Sequence, residues 1–349
     1  MSVMTFCMTM IQNRTQVCNN QGQEDSVKIL QDKSATGRER PWKKHKESSL
    51  QLSDSYKRIG EKGKSYRVKN CGSILTFNEC PGGHEKHLIK ANFCRVRLCP
   101  MCAWRKSLVI FTQLLKICHV ACSRQDLRFI MMTLTVKNVP GQKLSDQLDD
   151  MFKSWDRLTK RIEFKSNVQG WFRALEVTHN VNAKSTAYDT YHPHFHILLA
   201  VKPGYFKGQK YIKQSRWMEL WRSAARLDYN PIVDVRTVKA SDNPEGKPIE
   251  KAVAEVGKYT TKPGDYLFAD EQMTDKAVLV LDEALHGRRL VSYGGILADI
   301  KKELKMADVE NADLIQIDDI TKGCTCSACG SQLTERVYKW HIGYREYVG

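Results

Sequence analysis

Between Phe129 and Thr261 the chain alternates between two kinds of hydrophobic spacing. Phe129-Ile130-Met131-Met132-Thr133-Leu134-Thr135-Val136 is a continuous apolar run that reads as a buried strand, ended by Pro140-Gly141. From Leu144 to Phe164, Leu148, Met151, Phe152, Trp155, Leu158 and Ile162 recur at three- and four-residue steps, which predicts an amphipathic helix. Gly170 to Thr178 reads as a second strand and Tyr191 to Ala200 as a third, with a polar loop between them. Trp217, Leu220 and Trp221 mark a helix between Lys213 and Leu227. Ile232 to Val238 alternates as a fourth strand, and Ile249 to Thr261 reads as a third helix after Pro248.

The order β-α-β-β-α-β-α predicts an α+β fold: a ferredoxin-like antiparallel sheet with helices on one face. The flanks are read separately. Residues 1–55 are polar and weakly periodic, a flexible basic leader, with order beginning near Tyr66. Residues 66–120 form a cysteine-bearing segment followed by a helix from Ala103 to Cys118, and residues 125–268 form the sheet domain. Residues 275–349 form a C-terminal appendage, opening on Ala277-Val278-Leu279-Val280-Leu281 and helical towards Leu314.

The third strand carries the first candidate chemistry. His192, His194 and His196 stand at every second position, so they share one face, while Phe195, Ile197 and Leu199 face a core. Such a ladder can place a metal on a sheet. Glu176, in the middle of the second strand, approaches the ladder if the two strands pair. Two imidazoles and a carboxylate then make a partly open site for Mn²⁺ or Mg²⁺. His192 is the rival third ligand, and an ion pair with Arg173 is the alternative role for Glu176.

Cysteines supply the second. Cys94, Cys99 and Cys102 lie within Phe93-Cys94-Arg95-Val96-Arg97-Leu98-Cys99-Pro100-Met101-Cys102, a C-x-x-C knuckle with a third thiol five residues upstream. With Cys71 as the fourth ligand, and Cys80, His84 or His87 as rivals, this is a closed structural Zn²⁺ site. A second knuckle, Cys326 and Cys329, has Cys324 or His341 beside it.

The third is a helix face. Glu255 and Tyr259 are i and i+4, with Lys258 alongside and Lys262 three residues further on. A tyrosine, with an ordinary pKa near about 10, is a poor nucleophile unless its target is polarised. A metal on a phosphate, with lysines stabilising developing charge, supplies that polarisation.

Charge then narrows the partner. A formal net charge of +16 over 349 residues favours a polyanion, nucleic acid first. Twelve cysteines clustered at metal spacings fit a reducing, cytoplasmic setting rather than disulfides. No transmembrane helix and no signal peptide are expected.

These segments resemble the initiator proteins of rolling-circle plasmids within the HUH endonucleases (His-hydrophobic-His), and among them the staphylococcal and bacillar small-plasmid subfamily. The resemblance runs from about residue 40 to the C-terminus. It is carried by Arg40-Pro41-Trp42, Cys94 to Arg105, Thr133-Leu134-Thr135, Leu175-Glu176-Val177-Thr178, His192-Pro193-His194-Phe195-His196, Glu255 with Lys258-Tyr259, and Gly287 to Gly295. It implies that His194 and His196 bind the catalytic metal, and that Tyr259 attacks one origin phosphodiester. The products would be a 5′-phosphotyrosine and a free 3′-OH that primes a host polymerase, with a host helicase opening the duplex. Glu255 would activate water for the terminating cleavage. Tyr266 follows Pro263-Gly264, which ends the helix, so a two-tyrosine scheme is not expected. The implied partner is single-stranded or cruciform plasmid origin DNA, with room for a homo-oligomer there. Conjugative relaxases and single-strand transposases share the chemistry. A non-catalytic zinc-containing DNA-binding regulator would account for charge and cysteines but not for the histidine ladder with the Glu255/Tyr259 helix. A metallo-β-lactamase-type hydrolase would need an Asp-His that does not follow the ladder.

Overall fold

The computed structural model describes residues 28–34, 37–238, 248–257, 261–317 and 324–349. In chain order the elements begin with α1 (Trp42–Arg58), α2 (Lys62–Asn70), β1 (Ile74–Glu79), β2 (Lys86–Ala91) and α3 (Pro100–Arg124). Next come β3 (Arg128–Thr135), α4 (Leu144–Thr159), α5 (Ile162–Asn167), β4 (Val168–Asn180) and β5 (Thr190–Val201). They continue with α6 (Gln214–Ala225), β6 (Val233–Thr237), α7 (Pro248–Val256) and α8 (Glu271–Leu285). Last are β7 (Val291–Gly295), α9 (Ile296–Glu303), β8 (Thr334–His341) and β9 (Glu346–Val348). Both sheets are antiparallel and the fold is α+β.

Two compact units divide the chain. The larger comprises residues 44–71 and 93–317 and holds a five-stranded sheet in the order β6-β3-β5-β4-β7. β5 pairs along its length with β4 on one side and β3 on the other, with Glu176 opposite His194 and Thr135 opposite His194 across the two registers. Phe195, at the centre of β5, packs against Phe152 and Trp155 of α4 and Trp221 of α6. Those rings come from the three- and four-residue spacing that predicts both helices.

The histidine face is not left wholly open, and the expectation of helices on one face is corrected here. Beyond His196, Leu198 and Ala200 continue the histidine face and are fully buried, as are Leu199 and Val201 on the other. α7 packs on β5 and β3, and α3 packs on α7 and α9. Phe172, beside Leu198, meets Tyr293 of β7, and α9 lies against β4 and β7. The physical reason is length: β4 and β5 run to 13 and 12 residues, and the far part of β5, Ile197-Leu198-Leu199-Ala200-Val201, is apolar on both alternations, so both faces need cover.

α3 is long and apolar enough by composition to cross a membrane. Its Val109, Ile110, Leu114, Ile117, Cys118 and Ala121 are instead buried in this unit, as befits a core helix.

The smaller unit, residues 28–43, 72–92 and 324–349, is a four-stranded sheet in the order β2-β1-β8-β9. β1 pairs with β8, whose partner residues lie about 260 positions further along the chain. Tyr338, Phe77 and Trp42 form its aromatic core, and Trp42 Nε1 donates to Asp32 at 2.7 Å.

Two boundaries therefore move. Residues 42–58 are the helix α1 rather than leader; residues 1–27 lie outside the described ones. The region from 275 is not one appendage: α8, β7 and α9 belong to the larger unit, and β8 and β9 to the smaller. Pairing of β7 with β4, Gly170 opposite Gly295, is what draws the first part into the main sheet.

Candidate active site and metal centres

β4 and β5 bring three groups together. Glu176 Oε2 lies 2.8 Å from His196 Nε2 and 3.5 Å from His194 Nε2. Because directly paired residues of an antiparallel ladder project to one side, this follows from the register that sets Glu176 opposite His194. His194 Nδ1–H donates to the carbonyl of His192 at 3.1 Å, which orients the ring with Nε2 towards the site. The side chains of His194 and His196 are 12% and 18% exposed and that of Glu176 6%, so the group is sheltered on the protein side and reachable from the other.

Burial alone would push the Glu176 carboxyl up. Bonds from His194, His196 and Lys262 outweigh it and hold the group well below the usual carboxylate range. Lys262 Nζ sits 2.8 Å from Glu176 Oε1, the oxygen turned from the imidazoles. The three ligand atoms lie within 4.8 Å of one another. Two imidazole nitrogens and an ionised carboxylate suit a divalent ion that accepts mixed nitrogen and oxygen donors, so the residues fit such a group.

Glu176, rather than His192, reaches the pair. His192 sits one position further out, its ring 5.3 Å from that of His194, and burial, then His194, lowers its pKa. Arg173 does not pair with Glu176. Three residues apart on a strand, they face opposite ways, and the Arg173 guanidinium lies over the Phe152 and Phe195 rings at 4.6 and 4.7 Å.

Glu255 is exposed on the last turn of α7. Lys258 and Tyr259 lie outside the described residues. Tyr266 is fully buried with its hydroxyl donating to the Leu98 carbonyl at 2.6 Å, and burial drives its pKa up, which keeps it from nucleophilic use.

At the head of α3, Cys71, Cys94, Cys99 and Cys102 converge. Sγ of Cys102 lies 3.6 Å from that of Cys71 and 3.8 Å from that of Cys94. Four thiolates at about 2.3 Å from a tetrahedral zinc stand about 3.8 Å apart, so the cage has the dimension of that ion. Backbone N–H groups of Cys94, Arg95 and Val96 point at the sulfurs of Cys71, Cys102 and Cys94 at 3.2–3.4 Å. The rival ligands Cys80, His84 and His87 belong to the smaller unit.

Sequence reasoning missed Lys46 and Ser49 of α1. Lys46 is buried and its ammonium donates to the carbonyls of Lys69 and Cys71, while Ser49 Oγ lies 3.6 Å from Cys99 Sγ. Their signal was hidden in a run of lysines that reads as solvated charge.

Residues 85–348 match the family described as Replication protein. The chain is 39% identical over 348 residues to a protein named Protein rep from Bacillus amyloliquefaciens, covering 93% of this chain and 98% of that one. A Protein rep from Streptococcus pneumoniae is 38% identical over 85% of this chain and 89% of its own. A Replication protein from Staphylococcus aureus is 37% identical over 59% and 86% respectively. No solved structure matches significantly.

Proposed function

The chain belongs to the replication protein family, and on that premise we propose that it starts rolling-circle replication of a bacterial plasmid in the cytoplasm as a site-specific DNA nickase and strand transferase. The observation that carries the reading is the Glu176–His194–His196 group at the mouth of a central strand pair. The sheet order supports it. Taking β3, β4, β5 and β6 as first to fourth strands, they lie fourth-first-third-second, the arrangement of a ferredoxin-like, HUH-type sheet.

Tyr259 Oη attacks the scissile phosphorus, the bond to the 3′-oxygen breaks, and a 5′-phosphotyrosine and a free 3′-OH result. One phosphate ester replaces another, so the strand can later be rejoined. Glu176, His194 and His196 would hold a divalent ion, Mn²⁺ or Mg²⁺, which would supply Lewis acidity for the scissile phosphate. Lys258 and Lys262 balance the charge that develops on the phosphate oxygens. Glu176 holds Lys262 beside the two imidazoles while 61% of the lysine side chain remains exposed. Glu255 takes a proton from water in the terminating cleavage, which leaves no second protein–DNA link. The free 3′-OH serves a host polymerase, behind a host helicase. Cys71, Cys94, Cys99 and Cys102 hold a structural Zn²⁺ that fixes α3 to the turn after α2.

The test uses labelled single-stranded DNA carrying the plasmid's own origin, incubated with protein and Mn²⁺ and then denatured. A covalent adduct of reduced mobility is expected, and it should vanish in Tyr259→Phe. A wild-type protein that binds the origin without forming an adduct would instead make this a non-catalytic regulator.

A further inference from the structure

We propose that Cys80, His84, Cys326 and Cys329 form a second structural zinc site, which ties the β1–β2 turn to the segment preceding β8. The four ligand atoms lie within 4.8 Å of one another, and all four residues belong to the smaller unit. Cys80 Sγ stands 3.5 Å from Cys329 Sγ and 3.5 Å from His84 Nδ1, and Cys326 Sγ stands 3.9 Å from that nitrogen. A tetrahedral zinc with sulfur at about 2.3 Å and nitrogen at about 2.05 Å sets sulfur–sulfur edges near 3.8 Å and sulfur–nitrogen edges near 3.6 Å. The cluster has those dimensions on edges contributed by two segments far apart in sequence.

The backbone around the ligands is built for this. Cys326-Ser327-Ala328-Cys329 is a knuckle closed by Gly330 N donating to Cys326 O at 2.8 Å and Cys326 N donating to Ser331 O at 2.7 Å. Gly330 follows the second thiol at φ +71°, a conformation that L side chains rarely adopt. On the other arm, Gly83 N donates to Cys80 O at 2.8 Å and Cys80 N to Glu85 O at 3.0 Å, a turn that aims His84 back at Cys80. Glu85 joins the arms by accepting from the Ser327 amide at 2.7 Å. Cys80 and Cys326 are buried with Leu333, while His84 and Cys329 face outward.

This ligand set differs from the one the sequence suggests for the second knuckle. His341 stacks on Tyr344 at 4.3 Å, and its Nδ1 accepts from the Tyr344 amide, while Cys324 stands outside the cluster. Three thiolates and one imidazole complete a tetrahedron, so the site has no open position for substrate and acts in folding.

Zinc content of the full chain, purified under reducing conditions, tests the assignment independently of nicking. Two zinc ions per chain are expected in the wild type, and one in Cys326→Ser/Cys329→Ser. Replacing zinc by Co²⁺ gives a second readout that tolerates poor behaviour of the double variant. His84→Cys should retain both ions and shift the visible d–d absorption to the red as sulfur replaces nitrogen. One zinc in the wild type, two in the double variant, an unshifted spectrum for His84→Cys, or a Cys80–Cys329 disulfide found by peptide mass spectrometry would each overturn the proposal.

Discussion

Lys262 and His196 grip opposite oxygens of one carboxylate: Lys262 Nζ lies 2.8 Å from Glu176 Oε1, and His196 Nε2 lies 2.8 Å from Glu176 Oε2. The arrangement keeps Glu176 ionised and oriented, with the oxygen beside the imidazoles available to a cation. Glu176→Gln keeps the shape but removes the charge. Its Mn²⁺ affinity, measured by calorimetry, should fall by at least about tenfold to a hundredfold, the range seen even for groups that only support a ligand. Lys262→Met should separate the two roles. The lysine is mostly exposed, so stability should change by less than about 1 kcal/mol. Single-turnover nicking should slow by about a hundredfold as the phosphate loses a cation. Unchanged Mn²⁺ binding in Glu176→Gln would remove the carboxylate from the site.

Glu255 stands exposed on the last turn of α7, four residues before Tyr259. Glu255→Ala should form the first covalent adduct at the wild-type rate and fail to release it by hydrolysis, so that adduct accumulates over a time course. If the first nick disappears as well, the division of labour between tyrosine and glutamate is wrong.

The cage of Cys71, Cys94, Cys99 and Cys102 joins the end of α2 to the start of α3, and three of its four thiols are fully buried. Cys99→Ser should lose one zinc ion per chain and lower the melting temperature. If the ion contributes more than about 3 kcal/mol, the fall is at least about 6 °C for a unit of this size. Scanning fluorimetry with and without a chelator checks it: the chelator should destabilise the wild type far more than the variant.

What the sequence revealed, and what it hid, follows the range of the interactions. Strands β3 to β6 announce themselves by short apolar or alternating runs, and helices α4 and α6 by three- and four-residue spacing, because these signals lie within each segment. The i, i+2 spacing of His194 and His196 likewise places both rings on one face without knowledge of the partner strand. The β1–β8 pair has no such signal, since its register joins Ile74 to Lys339. β7 is only Val-Ser-Tyr-Gly-Gly, and it reads as a strand only beside β4. α1 escapes because its buried face is built from Lys46, Ser49, Ser53 and Ser55 beside Leu52 and Tyr56, a polar pattern that mimics a leader.

The docking of α1 gives a pH-dependent prediction. Asp275 of α8 accepts from Arg58 Nε and Nη2, each at 2.8 Å, and from Ser55 Oγ at 2.6 Å. Burial would raise its pKa, but the bonds from Arg58 and Ser55 prevail and lower it. A carboxyl depressed in the folded state stabilises above its unfolded pKa of about 3.9, and that contribution is lost as pH falls through the folded value. Asp275→Asn should therefore destabilise by about 1 kcal/mol at pH 7, with the difference from wild type shrinking below about pH 4. Urea titrations at the two pH values measure it, and a gap that persists in acid would mean the clamp acts through packing alone.

Gly295 ends β7 where the chain turns into α9, at φ +56° and ψ −147°. This region is essentially closed to other residues, and a Cβ there would stand 2.3 Å from the Gln169 carbonyl oxygen on β4. The obstacle is backbone within a paired ladder, so relief requires β7 to leave its register with Gly170. Gly295→Ala should destabilise by about 3 kcal/mol or more, combining backbone strain with the clash. Gly63→Ala provides the contrast. That glycine lies in the first turn of α2 with open space around its Cβ position, so alanine should change stability by less than about 1 kcal/mol, in the favourable direction. Urea denaturation of both variants decides the matter: equal effects would mean that β7 is not held against β4 through this close approach.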